Sequence, residues 1–328
     1  MKIGLDVMGG DFAPEATISG AIIAQRLMGT DDSIVLIGNP EMIKEELTKQ
    51  GAPEDLFEIV EAYDVIEMDE SPTRAFSSKP NSTMGIGFKL LRKKKIDAFA
   101  SAGNSGAMLV GAIYSVNTIQ GIIRPATAAV LPREDGGVNL LIDVGTNPDV
   151  RADVMYQFAI LGDALAKCVY NIPDPRVGLL NIGHEDKKGN LLAQSVFQMM
   201  KESNDFNFIG NVEGRDVLKN KADVIVCDGF TGNILLKSLE SVYRIIVKRG
   251  INDDYFNRFN YEQYGGTPIL GVNSPVIIGH GISNGEAIKN MILLAHQVAK
   301  SDLSGKITQA ITNYLDVPNG NSDSNQLA

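Results

Sequence analysis

The chain has 328 residues, 44% hydrophobic and 21% charged, enough apolar material for one large α/β domain in one lobe or two. Its formal net charge of −10 excludes a general nucleic-acid binder, whose affinity comes from a basic surface. Cys168 and Cys227 make no CxxC pair, and His184, His280 and His296 lack metal-ligand spacing, so neither a disulfide framework nor a metal site is expected.

Residues 2–7 read as a first strand, and Pro14 after the GGD loop suits a helix N1 position. Ile18, Ala21, Ile22 and Gln25 then continue with helical spacing. Residues 33–37 form a buried strand, 40–50 a charged surface helix closed by Gly51, and 57–60 another strand. Residues 67–83 are poor in apolar side chains and read as a long loop ending at a cap, Asn81 or Ser82. The helix over 84–95 ends in Arg92-Lys93-Lys94-Lys95; the helix dipole favours cations there, and an acidic partner is the alternative reason.

A strand over 97–100 precedes a helix over 105–118. Strands 127–131 and 138–144 flank the turn signal Glu134-Asp135-Gly136-Gly137. A long helix over 150–170, a strand over 176–182, a helix over 191–201 and strands over 206–209 and 222–227 follow, then a helix to about Arg249. Residues 251–266 crowd Tyr255, Phe256, Phe259, Tyr261 and Tyr264 together, for packing or for contact with a membrane surface. Residues 275–280 and 286–300 give the last strand and last helix, and the polar tail 319–328 is expected to be mobile. Strands alternating with helices predict a mainly parallel sheet covered on both faces, one catalytic domain over 1–318. MKIGLDV shows no signal-peptide pattern and no apolar stretch reaches the ~20 residues of a membrane span, so a cytoplasmic protein is expected.

The stretch ADVIVCDGFTGNILLK, residues 222–237, reads as strand, glycine loop and helix start. Thr231 is the expected N-cap, and the free N–H groups and dipole favour an anion near Asp228, Gly229 and Gly232. An ordinary strand–helix turn is the alternative. Four more glycine loops follow expected strands: DVMGGDFAP, SAGNSGA, DVGTN and NIGHEDKKGN. In an open parallel sheet such loops converge along one edge, where ligands bind.

Together, DVMGGDFAP, SAGNSGA, LLNIGHEDKKGN, DVIVCDGFTGNILLK and YGGTPILGVNSPVIIGHG are more specific than any one loop. In their order and spacing the chain resembles the phosphate acyltransferase (PlsX) family of bacterial phospholipid synthesis over residues 1–300. The resemblance implies a layered, Rossmann-like α/β/α fold related to phosphotransacetylases and to the isocitrate and isopropylmalate dehydrogenases. It implies transfer of a long-chain acyl group from acyl carrier protein to inorganic phosphate, with no cofactor. A membrane-embedded acyltransferase would use the acyl phosphate to acylate glycerol 3-phosphate. It also implies a homodimer, peripherally associated with the membrane. The family's usual GAN reads GTN here, with Thr146 for alanine, and Ser105 replaces the threonine of SAGNTGA.

That chemistry needs a phosphate pocket, a donor to the thioester oxyanion, an apolar groove and a carrier-docking surface. The resemblance selects Lys188 over Lys187 as the catalytic cation, and Asn233, at the mouth of the glycine loop over 228–233, is either an oxyanion donor or a helix cap. Asp6, Gly9, Gly10, Asp11, Ser101, Gly103, Asn104, Ser105, Gly106, Asn147, Glu185, Gly189, Asp228, Gly229, Thr231 and Gly232 are the expected substrate-binding residues. His280 stands either as general acid for the leaving thiol or as a structural histidine. Arg92 to Lys95 are expected near the rim as a docking patch, with Arg244, Lys248 and Arg249 as the second choice. The resemblance turns residues 255–264, with Arg258, toward the membrane. A short-chain phosphotransacetylase, an NAD-dependent decarboxylating dehydrogenase and a non-catalytic lipid-binding protein are the competing readings. The first strand–helix unit has no GxGxxG to support the dehydrogenase.

Overall fold

The computed structural model describes residues 1–316, so the tail expected to be mobile, 319–328, lies outside the described residues. Among these residues eleven strands form one sheet: β1 (Lys2–Asp6), β2 (Ser33–Gly38), β3 (Glu58–Glu61), β4 (Ala98–Ser101), β5 (Ala126–Pro132), β6 (Val138–Ile142), β7 (Arg176–Asn181), β8 (Asn207–Glu213), β9 (Val224–Val226), β10 (Thr267–Leu270) and β11 (Val276–Ile278). Their spatial order is β3-β2-β1-β4-β11-β10-β5-β6-β9-β7-β8.

β3, β2, β1, β4 and β11 are mutually parallel. β10 is antiparallel to β11 and β5, and β5 is antiparallel to β6. β6, β9, β7 and β8 are parallel again. Three successive antiparallel pairings leave the second half of the sheet running opposite to the first. Along β2, Ile34 and Leu36 join one core cluster while Val35 and Ile37 join the other. That is the alternation of a strand buried on both faces.

The helices are α1 (Glu15–Leu27), α2 (Pro40–Lys49), α3 (Pro72–Ser78), α4 (Thr83–Arg92), α5 (Ser105–Gly111), α6 (Ala152–Cys168), α7 (Leu191–Lys201), α8 (Gly229–Lys248), α9 (Asp254–Asn257), α10 (Gly285–Lys300) and α11 (Leu303–Asp316). α1, α6, α7, α10 and α11 cover one face through residues such as Ile18, Phe158, Val196, Ile292 and Ile307. α3, α4 and α5 cover the other face through Ala75, Phe88 and Met108. α8 differs, because only Gly229 and Gly232 of its residues are buried.

Several expectations need correction. Residues 67–83 are not one loop: Pro72 starts α3, and Ser82 then caps α4 by accepting from Gly85 N at 3.2 Å. Pro14 occupies the cap position of α1 rather than N1. α5 passes at Gly111 into a π-helical turn, Ala112–Val116. β10 and α11 were not foreseen.

Candidate active site

A cavity of about 370 Å³ opens where the sheet reverses direction. Gly103, Ser105 and Gly106 after β4, and Gly279 and His280 after β11, form one side. Gly145 and Thr146 after β6, with Asn233 and Lys237 of α8, form the other, and Thr127 of β5 and Thr267 of β10 lie between. Open α/β sheets bind ligands at such switch points.

Asp143 builds the second wall. Its carboxylate accepts from Thr127 N (3.0 Å), Thr127 Oγ1 (2.9 Å), Val144 N (2.8 Å), Asn147 N (2.7 Å) and Asn147 Nδ2 (3.0 Å). Asn147 is buried and spends its other contacts on Pro125 O (2.8 Å) and Gly229 N (2.8 Å). It braces the loop instead of facing substrate. Thr146, the departure from GAN, shares a hydrogen bond with Thr127, Oγ1 to Oγ1 at 2.8 Å. Both residues line the cavity.

The stretch that looked like an anion cradle has another task. Asp228, not Thr231, caps α8, accepting from Thr231 N (2.8 Å) and Thr231 Oγ1 (2.7 Å). A carboxylate thus already faces the helix dipole, and Gly229 N is held by Asn147 O. A Cβ at Gly232 would collide with the Asp143 carbonyl, so glycine lets α8 dock end-on against that loop. Docking aims Asn233 at the cavity. Its Nδ2 donates to Val144 O at 3.3 Å, which leaves one N–H free of protein partners among the described residues. Lys237, four residues on and so on the same helical face, is the single lysine or arginine of the described lining, and pairs with Glu240 at 2.9 Å. That spacing was readable; Thr127 offered no local signal, being one strand residue among others.

The first wall is built from the expected binding residues, most of them turned inward. Buried Ser101 donates to Asp6 Oδ2 (2.7 Å) and accepts from Gly103 N (3.0 Å). Burial pushes the Asp6 carboxyl up, against the Ser101 hydroxyl that holds it down. Asn104 accepts from Ala107 N (3.0 Å) and donates to Glu67 O and Glu70 O (3.0 Å each). Gly9 packs on Asp6 and Gly103, Gly10 on Gly281, and Asp11 N donates to Gly281 O at 2.7 Å. Asp6, Gly9, Gly10, Asp11, Ser101, Asn104, Gly229 and Gly232 are therefore not in its lining, and Asp228 and Thr231 line a separate groove instead. Gly103, Ser105 and Gly106 do line it. Ser105 and Gly106 open a helix whose first N–H groups have no partner within the helix.

His280 lines the cavity, its ring edge-on to Tyr261 with centroids 4.9 Å apart. Burial, with Lys237 and Arg244 nearby, pushes its pKa below the usual histidine value, against Glu240. Burial thus disfavours the imidazolium form in the empty cavity.

Lys188, Glu185 and Gly189 lie elsewhere. Their loop follows β7, and the Lys188 Nζ is 3.6 Å from Glu185 Oε1 with 48% of its side chain exposed. The five glycine loops do not share one edge, because the two halves of the sheet run oppositely. The loop after β7 instead lines a separate groove of about 490 Å³ beside Phe230 and Ile234 of α8.

Two surface expectations also change. Arg92 to Lys95 are exposed but lead into β4, where Asp97 N donates to Lys2 O at 2.7 Å. That is the start of β1 and β4, the far end from the Gly103 loop. The aromatic segment folds back on its own chain: Tyr255 donates to Pro132 O at 3.4 Å, and Arg258 to Arg133 O at 2.9 Å and to Gly137 O. Tyr255, Phe256 and Phe259 are half-buried and stack together, and the Arg258 guanidinium is held by those backbone carbonyls.

The fold is one shared with solved phosphotransacetylases. The chain matches a phosphotransacetylase from Streptococcus pyogenes with a TM-score of 0.63 at 18% identity, covering 95% of this chain and 94% of that one. It matches a branched-chain phosphotransacylase from Enterococcus faecalis with a TM-score of 0.62 at 13% identity, covering 91% and 99%. A family model described as "Fatty acid synthesis protein" matches residues 1–306. Phosphate acyltransferases from Dictyoglomus thermophilum and Halothermothrix orenii are 39% and 40% identical, over 96% and 95% of this chain and 99% and 98% of theirs. The chain belongs to this phosphate acyltransferase family and is an acyltransferase.

Proposed function

We propose that the enzyme transfers a long-chain acyl group from acyl carrier protein to inorganic phosphate, forming acyl phosphate for phospholipid synthesis. The observation that carries this reading is the cavity itself: free helix N–H groups on one side, Asn233 and Lys237 on the other. A phosphate dianion sits against the Ser105 and Gly106 amides and Lys237. Its oxygen attacks the thioester carbon, and the carbonyl oxygen gains charge, which the free N–H of Asn233 stabilises. The C–S bond then breaks, and the thiolate leaves and takes its proton from water. No covalent enzyme intermediate and no cofactor is needed, since phosphate is the nucleophile.

A homodimer fits the exposed stripe Phe230, Ile234, Val242 and Ile245 along α8, each of these more than half exposed. The groove beside its first half is rimmed by Ile182, Gly189 and Asn190. A second copy seated there would contact the Lys188 loop of the first, which keeps Lys188 a candidate catalytic cation in the assembly. No helix among the described residues is long and apolar enough to cross a membrane. Peripheral contact is assigned to Val247 and Ile251, exposed at the end of α8, on the path of the product to a membrane-embedded glycerol 3-phosphate acyltransferase. The acidic carrier docks on Arg244, Lys248 and Arg249.

The test is phosphate-dependent release of thiol from long-chain acyl carrier protein, with acyl phosphate trapped by hydroxylamine. Thiol release from acetyl-coenzyme A alone would assign the protein to the short-chain phosphotransacetylases instead.

A further inference from the structure

Two regular elements leave the polar cavity in the same sense and change character together. On β5, Thr127 lines the cavity, and Ala129 and Leu131, at spacing two on the same strand face, line a smaller apolar groove. On α8, Asn233 lines the cavity, Leu236 lines both, and Leu239 lines only the groove. Thr267 and His280 are also shared. The groove is roofed by Phe259, Tyr261 and Tyr264, the aromatic segment that the chemistry of the cavity had left without a role.

We propose that this groove receives the acyl chain, so that Ala129, Leu239 and Phe259 determine which chain lengths react. The inference rests on the acyl-transfer reading above. With the thioester carbon beside Asn233, the chain passes His280 and Leu236 and runs beneath the rings. The burial that disfavours a charged His280 ring suits this path, since a charge would oppose an alkyl chain. The occupant is an alkyl chain because the passage is continuous with the reacting end, and Glu240 is the one carboxylate, with no lysine or arginine, in its described lining. Ala129 is the smallest of the β5 side chains in the groove's lining. The empty groove holds about 80 Å³, room for roughly three methylenes if each takes about the ~30 Å³ of a water. A longer chain therefore continues along α8 under the roof, whose residues from Tyr255 to Tyr264 are none of them fully buried.

The experiment compares hexadecanoyl and acetyl thioesters on the same acyl carrier protein, with inorganic phosphate and the full-length enzyme. Ala129→Leu adds about three methylene equivalents to the floor, the volume that the groove offers. The expected result is a fall in the hexadecanoyl-to-acetyl ratio of kcat/KM by about tenfold or more, because each misplaced methylene in an apolar pocket carries discrimination of that order. Phe259→Ala, which widens the groove from the other side, is expected to move the preference toward longer or branched chains. It decides the matter should Ala129→Leu not fold. Unchanged ratios in a folded variant overturn the groove while leaving acyl transfer to phosphate intact. Phosphate-dependent release from neither thioester by the unsubstituted enzyme overturns both.

Discussion

Asn233→Ala separates catalysis from architecture. The substitution removes one hydrogen bond, 3.3 Å long, from a half-buried side chain at the start of α8. Such a bond is worth about 1 kcal/mol net. With an unfolding entropy of about 2.1 cal/mol/K per residue, 328 residues give roughly 0.7 kcal/mol/K. The melting temperature should then fall by only about 1–2 °C. The rate behaves differently, because the free N–H is the donor placed for the developing oxyanion. Its loss costs on the order of 10²- to 10³-fold in kcat. Asn233→Asp keeps the shape but turns an oxygen toward the Val144 carbonyl and the developing charge, so it should be no more active than the alanine variant. The assay is phosphate-dependent thiol release, with a thermal melt of the same preparation. Turnover within about tenfold of the unsubstituted enzyme, at a small melting shift, refutes the donor role. A melting shift several times larger than worked here would mean that the Val144 contact holds the Asp143 loop.

Lys237→Ala should raise the KM for phosphate with little change in melting, since its pair with Glu240 is half-exposed on one helix; Lys188→Ala should lower turnover only if the assembly brings its loop to a site, and unchanged turnover removes it from the mechanism. His280 has a folded-state pKa below the unfolded value, so its neutral form contributes stability that is present above about pH 6.5 and is lost as pH falls toward the depressed value. His280→Gln should flatten that part of the melting-versus-pH curve, and an unaltered curve would rule out the burial effect. Reversing Arg244, Lys248 and Arg249 should raise the KM for acyl carrier protein at low salt, whereas reversing Arg92 to Lys95, at the other end of the strands, should not. Val247→Asp/Ile251→Asp should weaken vesicle sedimentation without lowering activity on soluble carrier substrate; undiminished sedimentation refutes contact through that end of α8.

The layered α/β fold was legible because strands such as Val224-Ile225-Val226 are apolar throughout, as burial on both faces requires. The reversal of the sheet was not, because strand direction leaves no local pattern, and β10 is four residues long with a proline among them. α11 places Leu303, Ile307 and Ile311 four apart on its buried face, but its glycine and two threonines weaken the helical signal. In the site, glycine loops were read as ligand-facing when several serve close packing: Gly232 against the Asp143 carbonyl, Gly9 against Asp6. Asp and Thr are both good N-caps, and only the observed contacts distinguish Asp228 from Thr231.

α8 explains why so exposed a helix can be the centre of the site. Its faces meet different surroundings at helical spacing. Asn233 and Lys237 point into the polar cavity, and Leu236 and Leu239 line the apolar groove. Phe230, Ile234 and Ser238 lie on a third face, along the groove that the Lys188 loop rims. A helix buried on one side only could not divide three spaces; it would need one continuous apolar stripe. The consequence is that substitutions along α8 should sort by face and not by distance along the chain. Ile234 is adjacent to Asn233 in sequence, yet a polar residue there should disturb self-association and leave the polar cavity's lining unchanged. Leu239, six residues from Asn233, should instead alter which acyl chain is accepted.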